Sequence, residues 1–288
     1  MYFLYIPVIR NIFPDRWYVR CQYRYWTGKK LNLKDLRTFN EKLQWIKLNE
    51  RDPRLTIMAD KYRARSFVSD KIGEKYLIPL IGVYDDFDDI NIEDLPEQFV
   101  VKCNHDSGSV IIVKNKEKMD VAAVRKKLRR AMRRNYYWST REWAYKGIEP
   151  KIIVEKYLED ESREELKDYK IFCFEGEPKF FQVDFNRFTD HKRNFYSLNW
   201  EYMELESEFP TDPNYYIPVP EKLKEMLSIA EVLSEGTHHL RVDLYWDGSD
   251  IYFGELTLYH GSGLKAFYPE EMNRVMGGWI DLTRGKRP

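Results

Sequence analysis

The stretch Leu240-Arg-Val-Asp-Leu-Tyr-Trp246, Asp247-Gly-Ser-Asp250, Ile251-Tyr-Phe-Gly-Glu-Leu-Thr-Leu258 reads as two strands around a tight turn. Both flanks are rich in aliphatic, β-branched and aromatic residues, and the Asp, Gly and Ser at the centre supply turn chemistry. If the turn is centred on Ser249, Asp243 faces Glu255 and Arg241 faces Thr257. Side chains alternate along a strand, so these four share one face, while Val242, Leu244 and Leu256 take the other. Directly opposed carboxylates have Cβ atoms roughly 4.5–5.5 Å apart and destabilise a hairpin unless something offsets them. A divalent cation of the Mg²⁺ type, with hard oxygen ligands, would do so, and Arg241 is placed to hold a phosphate bridged by that metal. Lysines from elsewhere pairing with an exposed acidic face are the alternative.

Upstream, residues 169–174 and 179–185 flank Glu175-Gly-Glu-Pro178 as a second hairpin. A turn about Gly176 pairs Lys170 with Gln182 and Asp168 with Asp184, so a lysine and two acids project together, as a phosphate contact or as an ordinary cross-strand ion pair. Phe99-Val-Val-Lys102 is a buried-type strand that ends in a lysine beside Cys103-Asn-His-Asp-Ser-Gly-Ser109. Such a turn offers backbone N–H groups to a polyphosphate, although it lacks the spacing of a P-loop. Glu155 ends the strand Ile152-Ile-Val and supplies an acceptor there. Of the histidines, His105 and His260 are candidates for acid–base or acceptor contacts, and His238 and His239 read as structural or exposed.

The remaining elements follow from caps and periodicity. Thr38-Phe-Asn-Glu41 has capping-box spacing and predicts a helix over 41–49. Asp60 predicts a cap for a helix over 61–72, ended by Gly73. Strands are expected at 77–84, 99–103, 110–113 and 152–157. Asp120 predicts a helix with Val121, Val124, Leu128 and Met132 on one side and a basic cluster on the other, and further helices are expected at 220–233 and 269–276. Antiparallel hairpins mixed irregularly with helices give an α+β class, with no sign of a doubly wound nucleotide fold.

The chain of 288 residues holds 47 Lys+Arg and 47 Asp+Glu, with 43% hydrophobic and 16% aromatic residues, which is enough apolar area to exclude general disorder. Neutrality excludes a wholly cationic nucleic-acid binder, so no nucleic acid is expected as a partner. The balance is nevertheless a sum of blocks: ten basic residues against Glu117 and Asp120 between Lys114 and Arg134, and seven acids without a base between Asp85 and Glu97. Such blocks are solvated faces or meet anionic ligands. Cys21, Cys103 and Cys173 form no CxxC pattern, which argues against a disulfide framework or structural zinc and for a reducing cytoplasm. Arg10 interrupts the apolar start and argues against a signal peptide, and no run reaches the ~18 apolar residues of a spanning helix. The aromatic and arginine-rich segment 1–26 is expected to be a helix packed on the domain, with peripheral contact to the inner face of a membrane as the alternative.

In order and spacing, Asp60-Lys-Tyr-Arg-Ala-Arg65, Phe99 to Ser109, Ile153-Val-Glu-Lys-Tyr-Leu158, Asp168-Tyr-Lys-Ile-Phe-Cys-Phe174, and Arg241-Val-Asp243 with Gly254-Glu-Leu-Thr257 resemble the ATP-grasp superfamily, and within it the TupA-like branch found with polysaccharide biosynthesis. The resemblance implies two α+β subdomains that clasp ATP, behind a short helical N-terminal region over 1–55. The first part of the grasp would cover 56–95, a lid subdomain 96–154, and a C-terminal subdomain with the metal site 155–288. By resemblance, Lys61 and Lys102 contact the ATP phosphates and Ser107, Gly108 and Ser109 close over them. Glu155, with the Lys156 and Leu158 backbone, takes the adenine, and Asp168 the ribose. Lys170 and Arg241 act on the transferred phosphate, while Asp243 and Glu255 hold Mg²⁺. Thr257 stands where many members carry a further metal-binding Asn. The implied reaction is ATP- and Mg²⁺-dependent ligation of a carboxylate to an amine or amino acid through an acyl phosphate. The implied acceptor is a uronic acid or a related anionic carboxylate of a surface glycan or capsule. A glycosyltransferase, or a kinase without a ligation step, would draw on similar residues.

Overall fold

A computed structural model of the chain describes residues 13–159, 166–187 and 189–283. Its helices in chain order are α1 (Asp15–Thr27), α2 (Phe39–Asn49), α3 (Pro53–Ala59), α4 (Ala64–Ile72), α5 (Val121–Met132), α6 (Tyr137–Thr140), α7 (Leu223–Ser234) and α8 (Glu271–Gly278). Its strands are β1 (Leu80–Tyr84), β2 (Phe99–Cys103), β3 (Ile111–Val113), β4 (Ile152–Lys156), β5 (Asp168–Phe174), β6 (Glu177–Phe185), β7 (Lys192–Tyr196), β8 (Tyr202–Met203), β9 (His239–Trp246) and β10 (Ile251–Thr257). They form a four-stranded sheet ordered β1-β4-β2-β3 and a six-stranded sheet ordered β10-β9-β5-β6-β7-β8, with every pairing antiparallel.

Period 2 gives each sheet one apolar and one polar face. In the smaller sheet, Phe99, Val101 and Cys103 of β2 and Ile152 and Val154 of β4 are buried under Val124, Leu128 and Ala131 of α5. Lys102 and Glu155 therefore point away from that helix. In the larger sheet, Ile171 and Cys173 of β5 and Leu240, Val242 and Leu244 of β9 pack with Met226, Ile229, Ala230 and Leu233 of α7. The alternate positions of β5, β6 and β9 carry Asp168, Lys170, Gln182, Asp184, Arg241 and Asp243, all buried.

Helix starts follow the caps. Thr38 and Glu41 form the full capping box at α2, and Asp120 accepts from the Ala123 N–H at α5. The expected helix over 61–72 begins later, at Ala64. Asp60 ends α3, a helix not anticipated, and its Oδ1 accepts from the N–H groups of Tyr62 and Arg63, holding a turn that displaces Lys61 from any helix. α1 packs as expected of the N-terminal segment: Tyr18 and Gln22 donate to the Ser139 carbonyl at 3.2 and 2.9 Å, and Asp15 pairs with buried Arg141 at 3.0 Å. Residues 1–12 of that segment, and 160–165, lie outside the described residues. Among the described residues no helix is long and apolar enough to cross a membrane.

Candidate active site

The two hairpins place their acids as the spacing predicts. Asp243 is opposite Glu255, Arg241 opposite Thr257, Lys170 opposite Gln182 and Asp168 opposite Asp184. Lys170 also lies opposite Asp243, because β5 and β9 are neighbours. One difference lies at the tip of the β9–β10 hairpin, where Ile251 pairs with Trp246 and Phe253 with Leu244, one residue out of step with the Asp243–Glu255 pairing. A bulge at Gly254 absorbs the step. A Cβ there would sit 3.0 Å from the Tyr245 ring and 3.1 Å from the Asp243 carbonyl, a tight approach that favours glycine.

The charges are tightly interleaved. Lys170 donates to Asp168 and lies 3.2 Å from Asp184 and 3.7 Å from Asp243. The Arg241 fork takes both oxygens of Asp243, at 2.7 and 2.6 Å, and reaches Glu255 at 3.3 Å. The opposed acids are thus held by an arginine on their own hairpin, a bidentate and charge-assisted contact. Burial pushes the Asp243 carboxyl up, against the pull of Arg241 and Lys170. Burial also opposes charge on Glu255, but Lys61, Arg241, Lys170 and Lys102 outweigh it and bring that carboxyl down to about 2. For Asp184 the same contest is won by Lys170 and Arg193, which hold it well below the usual carboxylate range.

Of the other candidates, Lys61 and Lys102 act on Glu255 from the smaller sheet and the segment beside it. Lys102 bonds Glu155 at 2.5 Å and Arg65 reaches the other oxygen of that carboxylate at 3.3 Å. Lys61 donates to the Asp106 carbonyl at 2.6 Å and lies 3.6 Å from Glu255, so one side chain joins the Ser/Gly loop to β10. Within that loop Ser109 is buried, its hydroxyl bonded to Asp106 at 2.5 Å and to the Cys103 N–H at 2.9 Å. Ser107 and Gly108 are exposed, and Gly108 has a φ of 104°. Lys156 is exposed, its N–H bonded to the Pro79 carbonyl at 2.9 Å, and Leu158 is half-buried.

Several participants were not anticipated. Arg193 on β7 takes Asp184 through two nitrogens, at 2.6 and 3.3 Å, and Arg187 reaches Asp168 at 3.0 Å. The stretch Lys192-Arg-Asn-Phe-Tyr196 of β7 has no apolar–polar alternation, and only its two terminal aromatics hint at a strand. His260 accepts from Arg241 at 3.0 Å through Nδ1, and the burial that excludes its charged form keeps it neutral. It stands at the start of a turn in which Gly261, Ser262 and Gly263 all have positive φ. Buried Lys47 pins that turn through the Ser262 carbonyl and hydroxyl, at 2.6 and 2.7 Å. By contrast, His105 is buried against the Ala131 and Arg134 carbonyls, His238 pairs with Glu175 at 2.8 Å, and His239 is buried against the Cys173 carbonyl.

Asp243 and Glu255 could offer carboxylate oxygens to a metal, with the Thr257 hydroxyl 3.3 Å from Glu255. Among the described residues no three His, Cys, Asp or Glu side chains are grouped to hold an ion. Carboxylates are hard oxygen donors of the kind Mg²⁺ takes, and Asp168 adds a buried oxygen, Oδ1, with no hydrogen-bond partner among the described residues.

Two antiparallel sheets, with lysines from the smaller sheet and its flanking segments set beside a file of acids on the larger, make an ATP-grasp fold. The chain belongs to the TupA-like ATPgrasp family, whose model matches residues 41–281. Among solved structures it is similar to D-alanine–D-alanine ligase from Bacillus anthracis complexed with ATP, at 16% identity and a TM-score of 0.41, covering 71% of this chain and 55% of that one. It is also similar to D-alanine–D-alanine ligase from Helicobacter pylori, at 13% identity and a TM-score of 0.40, covering 78% and 62%. A third is the ATP-grasp ligase PsnB complexed with a phosphomimetic variant of its minimal precursor, Mg and ADP, at 11% identity and a TM-score of 0.41, covering 84% and 61%. The chain thus spans between 55% and 62% of the length of these ligases. No curated protein matches it.

Proposed function

We propose that the protein is an ATP- and Mg²⁺-dependent carboxylate–amine ligase that forms an amide through an acyl phosphate. The observation that carries this reading is the single polar face on which Lys170 and Arg241 interleave with Asp168, Asp184, Asp243 and Glu255, next to Lys61 and Lys102. Attack of a carboxylate on a γ-phosphate brings anions together, so the site has to position them and neutralise charge. Lys61, Lys102, Lys170 and Arg241 supply fixed positive charge, and the Asp106–Ser109 loop excludes water from a labile intermediate. Asp243 and Glu255, with Thr257 beside them, would hold Mg²⁺, which contributes charge neutralisation on phosphate oxygens when bound. Glu155, Lys156 and Leu158 would line the adenine side, and Asp168 the ribose.

The carboxylate oxygen takes the γ-phosphoryl group and ADP leaves. The amine nitrogen then attacks the acyl carbon, and phosphate and a proton depart. For the acceptor we propose a uronic acid or related carboxylate of a surface polysaccharide, with an amino acid or amine as the second substrate, in the cytoplasm. The lid over 96–154 and the C-terminal subdomain over 155–288 are part of the same proposal.

The test is nucleotide release across uronic acids and amino acids with Mg²⁺, followed by mass spectrometry. ADP and an amide are expected, and Asp243→Asn and Glu255→Gln should each remove acceptor-dependent ADP release by about 100-fold or more while the fold persists. Unchanged ADP release in both variants overturns the metal assignment. Release of UDP from a UDP-sugar, or a stable phosphorylated sugar without an amide, overturns the ligase reading.

A further inference from the structure

The expected basic helix is present as α5, but its cations fall into two stripes with different fates. Arg125 and Arg129 are neutralised from the acidic run that precedes β2: Arg125 pairs with Asp88 at 3.1 Å, and Arg129 with Asp86 and Asp88 at 2.8 and 2.6 Å. Lys126 and Arg130, four residues apart and hence on one side of the helix, and Arg134, two residues past its end, are exposed, line one cleft and have no acidic partner among the described residues. Helical rise sets Lys126 and Arg130 about 6 Å apart along the axis.

This second stripe forms one wall of a cleft of about 400 Å³ whose other wall is the loop bearing Ser107 and Gly108. Asp106 is the one acid on the lining, and it already accepts the Ser109 hydroxyl. The stripe cannot belong to the face that carries Lys102 and Glu155, because α5 covers the opposite face of the sheet. The cleft and the site therefore lie on either side of the same loop: Lys61 holds the Asp106 carbonyl from one side, and Lys127, beside the stripe, holds the Val110 carbonyl at 2.9 Å from the other.

We propose that this cleft binds an extended anionic segment of an acidic glycan, with successive acid groups against Lys126, Arg130 and Arg134 and one end delivered to the loop. A linear chain with one carboxylate per sugar matches a file of single charges along one wall of the cleft. That the occupant is a glycan rests on the proposed function, whereas the anion-binding cleft does not.

The experiment uses the full chain and a fluorescently labelled oligogalacturonate, read by anisotropy, with ATP binding measured in parallel. K126A/R130A/R134A should weaken oligogalacturonate binding by about tenfold or more, the scale of losing one or more charge-assisted contacts. R125A/R129A, which removes the same kind of charge from the paired stripe, should change it less than about twofold. ATP binding should be unchanged in both, which separates failure of the cleft from loss of fold or of the nucleotide site. Absent binding to the unaltered chain, or equal losses in the two variants, overturns the cleft. An oligonucleotide of equal charge binding as tightly as the oligogalacturonate overturns the glycan assignment. If binding follows the expected pattern but no amide forms with any uronate, the cleft stands and the ligase reading fails.

Discussion

The two sheets use charge in opposite ways. On the larger, each buried charge touches several others: Lys170 meets Asp168, Asp184 and Asp243, and Arg241 meets Asp243, Glu255 and His260. On the smaller, Lys102, Arg65 and Glu155 form a single local group, and α5 leaves a row of cations with no acidic partner among the described residues. A dense buried network fixes its members but makes each costly to remove. An open one leaves its members available to ligands.

The sharpest test compares equivalent lysines. Lys170→Met removes the cation shared by three buried carboxylates, each of which keeps only its own arginine (Arg187, Arg193 or Arg241), and should cost about 3–5 kcal/mol in denaturant unfolding. Lys102→Met leaves Glu155 its arginine and should cost about 1–3 kcal/mol. Equal losses would break the contrast between the sheets. Next are Lys47 and Glu142, two buried ions that attract each other across the Ser262 hydroxyl, with burial bringing the lysine down and the carboxyl up. Lys47→Met or Glu142→Gln alone should cost about 3 kcal/mol, while the double variant should recover most of it, because desolvation of two ions rivals their attraction. A double variant no better than the worse single would assign the loss to the turn at Ser262 instead.

The smallest effect lies at the end of β9 away from the acids. Burial lowers the His239 imidazole from 6.5 to about 3. Between those values the unfolded chain takes up the proton and the folded one does not, so this histidine's contribution is complete above pH 6.5 and erodes as pH falls. From pH 6.5 to 5 the loss should approach about 2 kcal/mol. His239→Phe, set among the rings of Phe39, Phe172 and Phe174, should flatten that part of the stability profile. An unchanged slope would place the titrating group elsewhere.

Much of this was legible because hairpins obey simple geometry. Alternation and a central turn locate Asp168, Lys170, Arg241, Asp243 and Glu255 without any knowledge of the rest of the chain. What they pair with was not legible: that β5 lies beside β9, bringing Lys170 to Asp243, depends on sheet order, which no local pattern encodes. Arg193 escaped because β7 is short and polar. Lys47 escaped because a lysine within a helix ordinarily faces water, and only the folded turn at Ser262 shows why this one does not.

One signal was in the sequence and went unread. Ile251 and Phe253 are buried at odd positions, Leu256 and Leu258 at even ones, and the parity changes across Gly254 and Glu255. The Gly254 bulge is the physical form of that change. The two halves of β10 therefore answer to different constraints: the outer half keeps its apolar side chains in phase with the turn, and the inner half keeps Glu255 in phase with Asp243. One surplus residue lets the turn be chosen for folding and the acid pair for chemistry, so neither has to be compromised for the other.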